Sequence, residues 1–187
     1  ENRSSVNAVL PAYAKLKSIS TQGDGRFINA NDISTKAHVA VLGNKTASWL
    51  FKNNLNPIGQ QVSISGWPFK VIGVTKDKLE FYSAGMPSAY GVFIPLSTYK
   101  VMSNTQDYSQ FLVLANNPNN NHAIGEKIRA IIAKNHGAGP SDPQIINSID
   151  SFAAQNATSD FMLGMQIFLG LIGGITLAVA GIGIANV

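Results

Sequence analysis

The sequence predicts an α+β body carried on a single membrane-spanning helix. Three observations lead there. From Phe161 to Val187 no side chain is charged, and an apolar stretch of that length crosses a hydrocarbon core of roughly 30 Å as a helix. Ahead of it, short apolar runs bounded by Gly, Pro and Asn alternate with helical spacings. Their order is helix, strand, helix, hairpin, strand, strand, helix, strand, which departs from the βαβα succession of a parallel wheel.

Taken in turn, residues 9–17 read as a short helix entered at Pro11, a residue suited to a first helical position. Gly23-Asp24-Gly25-Arg26 is a turn in which one or both glycines take positive φ. Residues 38–42 are a buried strand ended by Gly43. Asn44 is placed to cap a helix over 45–53, with Ala47, Leu50 and Phe51 on its apolar face. After Asn56-Pro57, Val62 and Ile64 alternate with polar residues, Gly66-Trp67 turns the chain, and Phe69–Val74 returns as a hairpin.

Residues 76–90 are polar, aromatic and punctuated by Gly and Pro, which predicts a long loop. A strand over 91–95, a helical turn over 96–102 and a core strand over 110–115 follow. Asn116-Asn117-Pro118 then opens a helix with Ile124, Ile128, Ile131 and Ile132 on one stripe, ending at Asn135-His136-Gly137. Residues 144–146 suit a short strand, and Asp150 suits the cap of a helix that runs into the membrane.

Composition narrows the function classes. The chain has 187 residues, 14 Lys and Arg against 10 Asp and Glu, and no cysteine. Its basic residues are scattered, without the basic run or aromatic stacking platform of a nucleic-acid binder. The absence of cysteine excludes a disulfide scaffold, thiolate zinc sites and a cysteine nucleophile. Glu1 opens the chain, no signal peptide is visible, and Val187 lies inside an apolar run, so the sequence reads as an excerpt of a longer protein. Between Lys134 and Phe161 lie Asp142, Asp150 and Asp160 but no Lys or Arg. Cytoplasmic flanks concentrate basic residues, so this flank reads as the outer side.

Motifs for chemistry are missing. His38, His122 and His136 have no ligand-spaced partners beyond the His122–Glu126 pair, and a zinc site needs at least three ligands. No Gly-x-Ser-x-Gly, Ser-x-x-Lys, Walker A, Gly-x-Gly-x-x-Gly or EF-hand pattern occurs. Asp77 and Glu80 are a carboxylate pair, but Lys76 and Lys78 adjoin them, which suits a solvated loop. No catalytic, cofactor-binding or metal residue is therefore assigned, and no cofactor. Gly170 and Gly174 form a Gly-x-x-x-Gly, with Gly173, Gly181 and Gly183 nearby. Such small residues let helix backbones approach, which predicts packing on other membrane helices.

Several segments, in order, carry a family resemblance: Gly25-Arg26-Phe27, Asp32, Val39–Gly43, Leu50-Phe51, Asn56–Gln60, Phe69–Val74 and Val92–Leu96. They resemble the extracytoplasmic domain of MacB-type ABC transporter permeases, and Ile172–Val187 resembles the start of the FtsX-like permease region. The resemblance implies a two-lobed domain between the first and second membrane helices. Mapped here, residues 1–22 and 108–150 would form an α+β lobe, incomplete at its N-terminal side, and 23–107 an inserted β-rich lobe. Residues 151–160 would be a membrane-proximal helix and 161–187 the transmembrane helix.

The same resemblance implies a function: coupling cytoplasmic ATP hydrolysis to export by mechanical transmission, without catalysis in this segment. Implied partners are an ABC ATPase, a second permease copy and, in tripartite systems, a periplasmic adaptor and outer-membrane duct. The implied location is the cytoplasmic (inner) membrane with the domain outside it, and the loop 76–90 is the candidate for partner contact. A lipoprotein-releasing permease shares this layout. A membrane-tethered hydrolase, and a sensor or adhesin ectodomain, are the alternatives from other classes.

Overall fold

The computed structural model describes residues 4–52, 56–78, 80, 87–117, 120–139 and 151–185, with side chains of the final helix described over 158–180. The chain divides into two compact units, Glu1–Leu114 and Ala115–Val187.

The first unit holds β1 (Ser5–Val9), α1 (Ala12–Leu16), α2 (Ala30–Ser34), β2 (Val39–Leu42) and α3 (Asn44–Phe51). The hairpin β3 (Gln61–Ile64) and β4 (Trp67–Val74), then β5 (Gly91–Pro95) and α4 (Leu96–Ser103), complete it. The strands form one mixed sheet in the order β1-β5-β2-β4-β3. Parallel pairs are β1 with β5 and β2 with β4; antiparallel pairs are β2 with β5 and β3 with β4. Residues 1–22, expected in the other lobe, thus supply the strand β1 to the sheet built from 23–107. That strand was missed because Ser5-Val6-Asn7-Ala8-Val9 is an edge, with Val6 46% exposed and no strong apolar run to announce it.

Both faces of the sheet are covered, which explains the continuous apolar reading of β2 and β5. One face gathers Leu42, Phe69, Val71, Val92 and Ile94 with Ala47, Phe51 and Met102 from the helices. The other centres on Phe93, packed with Val9, Ile28, Val41 and the half-buried Tyr13, Phe27 and Ile33. Tyr13 and Phe27 rings each lie 5.7 Å from the Phe93 ring in tilted contact, a favourable aromatic spacing.

The helix after β2 starts at the cap Gly43, not at the expected Asn44, whose Oδ1 accepts from Lys45 N at 2.9 Å. The buried Thr75 hydroxyl supplies what Gly43 lacks, accepting from Asn44 N at 3.2 Å. Leu50, expected inward, is 56% exposed, while Ala47 is buried and Phe51 packs on the core. The hairpin turn is Ser65-Gly66, with φ of +50° and +85°, one residue ahead of the expected Gly66-Trp67. A two-residue turn of this hand needs positive φ at both positions, and serine does not advertise that conformation.

Residues 110–115, expected as a core strand, lie in no strand: Phe111, Val113 and Leu114 are 67%, 58% and 70% exposed. A continuous apolar run such as Phe111–Leu114 suits a buried strand, but a strand exists only where a neighbour completes its hydrogen-bond ladder.

The second unit contains α5 (Asn121–Asn135) and α6 (Ser151–Ala185). Of the expected isoleucine stripe, Ile124, Ile128 and Ile132 are half-buried and Ile131 is exposed. Past the end of α5, Gly137 takes φ +67°, as the helix-terminating position favours. The expected strand 144–146 and cap Asp150 lie outside the described residues. The segments 151–160 and 161–185 are one continuous helix of 35 residues, about 52 Å long at the α-helical rise. Within it Thr158–Ala180 is long and apolar enough to cross a membrane.

Candidate functional site

The best-defined polar arrangement in the sheet unit grows from the turn at Gly23, which takes φ +50°. From there the chain runs back along β4: Gln22 N and Arg26 N donate to the carbonyls of Val74 and Ile72 at 2.8 and 2.9 Å, and Lys76 N donates to Ser20 O at 2.8 Å. The strand-like contact requires two facing glycines. A Cβ on Gly73 would stand 2.5 Å from Arg26 O, and one on Gly25 would stand 2.9 Å from Gly73 Cα.

This seating aims Arg26 at α2. Its guanidinium donates to both carboxylate oxygens of Asp32, at 2.6 and 2.9 Å. Asp32 also accepts from Asn29 N at 2.9 Å, while Asn29 Oδ1 accepts from Asp32 N at 3.0 Å. The reciprocal pair is a capping box on α2. The Asp32 side chain is 3% exposed and that of Arg26 is 47% exposed. The Arg26 hydrogen bonds hold the Asp32 carboxyl below the usual carboxylate range, outweighing the burial that would raise it. The same hydrogen bonds push the Arg26 guanidinium up.

Next to α1 lies a shallow pocket of about 180 Å³ lined in part by Ser18, Thr75, Lys78, Glu80 and Ser88. It touches the described part of the 76–90 loop. Glu80 accepts from Ser88 N at 3.1 Å and from the Ser88 hydroxyl. Lys78 Nζ donates to Lys17 O at 2.7 Å. Burial, and secondarily the Glu80 charge, push the Tyr13 phenol up. Residues 79 and 81–86 of the proposed contact loop lie outside the described residues.

The three histidines have different local surroundings. His38 precedes β2 and stacks on Phe69 at 5.1 Å and near Trp67 at 5.6 Å. His122 lies near the start of α5 and is exposed. His136 follows the end of α5, with Nδ1 2.9 Å from Ile132 O. Among the described residues no three His, Asp or Glu side chains gather as metal ligands. Of the perturbed groups, Tyr13 packs on Phe93, and Arg26 and Asp32 pair at the cap of α2.

On α6, Gly164, Gly170, Gly173 and Gly174 open onto empty space, and Phe168, Leu171, Ile175 and Leu177 are each more than half exposed. The unit containing α6 therefore presents an apolar surface whose chemistry is that of lipid or helix contact. Sequence reasoning quoted Arg26 and Asp32 without seeing that they pair. The available signal was Asn29 three residues before Asp32, a capping-box spacing.

Comparison with known proteins joins these features. The family model described as MacB-like periplasmic core domain matches residues 1–131. The pyoverdine export ATP-binding/permease protein PvdT of Pseudomonas savastanoi pv. phaseolicola is 30% identical over 165 residues, which is 88% of this chain and 24% of that protein. The macrolide export ATP-binding/permease protein MacB of Azoarcus sp. is 32% identical, over 87% of this chain and 24% of its own length. The uncharacterized ABC transporter permease YknZ of Bacillus subtilis is 27% identical across 100% of this chain and 45% of itself. The chain thus spans about a quarter to a half of the curated relatives it matches. Among solved structures, the extracellular domain of the noncanonic ABC-type transporter YknZ superposes with TM-score 0.61 and 26% identity, over 73% of this chain and 66% of that one. The periplasmic region of MacB from Actinobacillus actinomycetemcomitans shares the fold, with TM-score 0.54 and 20% identity over 71% of this chain and 57% of that one. By its sequence match over residues 1–131 and its mixed sheet, the chain belongs to the MacB-like periplasmic core domain family.

Proposed function

We propose that this chain is the extracytoplasmic part of an ABC exporter permease and transmits ATP-driven movement mechanically to the outer domain. Residues 4–107 would form the β-rich lobe and 108–150 would belong to the α+β lobe. The cytoplasmic-membrane location, an ABC ATPase fused or bound, a second permease copy and a periplasmic adaptor with its outer-membrane duct are parts of this proposal. Support comes from relatives whose names join ATP binding, permease and export.

One observation carries the reading. The final helix is uninterrupted from Ser151, ahead of the apolar span, to Ala185. A continuous helix transmits displacement along its axis, whereas a hinge would absorb it. The test is Ser159→Pro in the intact protein, with Ser159→Ala as control. Proline in a helix interior removes a backbone hydrogen bond and kinks the helix at a cost of about 3 kcal/mol. Export should fall at least tenfold while ATP hydrolysis by the purified complex stays within twofold. Unchanged export would refute transmission through this helix. Absence of any ATPase from the complex isolated from native membranes would refute the exporter reading itself and favour a tethered enzyme or sensor.

A further inference from the structure

We draw no further inference here: the strongest candidate, the exposed apolar run Tyr108–Leu114 that follows α4, carries none because nothing in the structure shows what covers it.

Discussion

Arg26→Met removes the charged fork that holds Asp32 and leaves a side chain of similar reach. Two charge-assisted hydrogen bonds are lost, at 2.6 and 2.9 Å. Such bonds contribute about 1.5–3 kcal/mol each, net of water. Arg26 is 47% exposed, so solvent screening argues for the lower end, and the pair is expected to cost about 3 kcal/mol. The Asp32 carboxylate remains 3% exposed with Asn29 N as its surviving donor. Burial then dominates, and its carboxyl should titrate above the usual range instead of below it.

The pH dependence follows from those two directions. In the unaltered chain the Asp32 pKa is depressed, so its stabilisation is complete above the unfolded carboxylate pKa of about 3.9 and is lost as pH falls through the lower folded value. In the variant the folded pKa is raised, so acidification stabilises it relative to its unfolded state. The difference between the two proteins should be largest near neutrality and shrink steadily toward pH 3. Urea unfolding of the 187-residue chain in detergent micelles reads this directly, because both tryptophans, Trp49 and Trp67, report on the sheet unit. A difference below about 1 kcal/mol at pH 7, or one that stays constant down to pH 3, would refute the reasoning.

Three further outcomes are expected. Gly73→Ala drives a Cβ against the Arg26 carbonyl, 2.5 Å away; it should cost about 2–3 kcal/mol in the same titration, and a neutral effect would mean that segment 22–26 shifts freely. Ser65→Asn places a residue tolerant of positive φ where Ser65 now takes +50°; it should stabilise the hairpin by about 0.5 kcal/mol, whereas Ser65→Val should destabilise it. Leu169→Arg puts a charge near the middle of Thr158–Ala180, at a cost of about 2.5–3.5 kcal/mol for insertion. Carbonate extraction of membranes expressing the chain should then release much more of it, and undiminished retention would count against a spanning helix.

The sequence exposed those elements whose own residues decide them. Val39–Leu42, Gly91–Pro95 and the hairpin are β-branched or alternating runs with turn residues beside them, and the apolar length of Phe161 onward announces a membrane helix. Elements decided by a distant partner were harder. β1 is a strand because β5 pairs with it, whereas residues 110–115 carry a strand pattern and pair with no strand among the described residues. Likewise the cap of α3 relies on Thr75, thirty-one positions along the chain. The Arg26–Asp32 pair depends on the glycine-to-glycine seating at Gly25 and Gly73, a contact that no local spacing encodes.

The register that joins Ser5 to Gly91 and Val9 to Pro95 also sets a timetable. Among the described strands of this sheet β1 comes first along the chain and pairs with β5, which comes last, so that edge cannot close until β5 has been made. Closing so long a loop is entropically costly and slows folding, as in other topologies rich in distant contacts. Until then β5's position beside both β1 and β2 is vacant, and the apolar strand Val39–Leu42 has no covering neighbour on that side. A nascent chain in this interval is exposed to misassociation. Slowing synthesis between β4 and β5 should therefore lower the yield of folded protein more than an equal delay after Pro95.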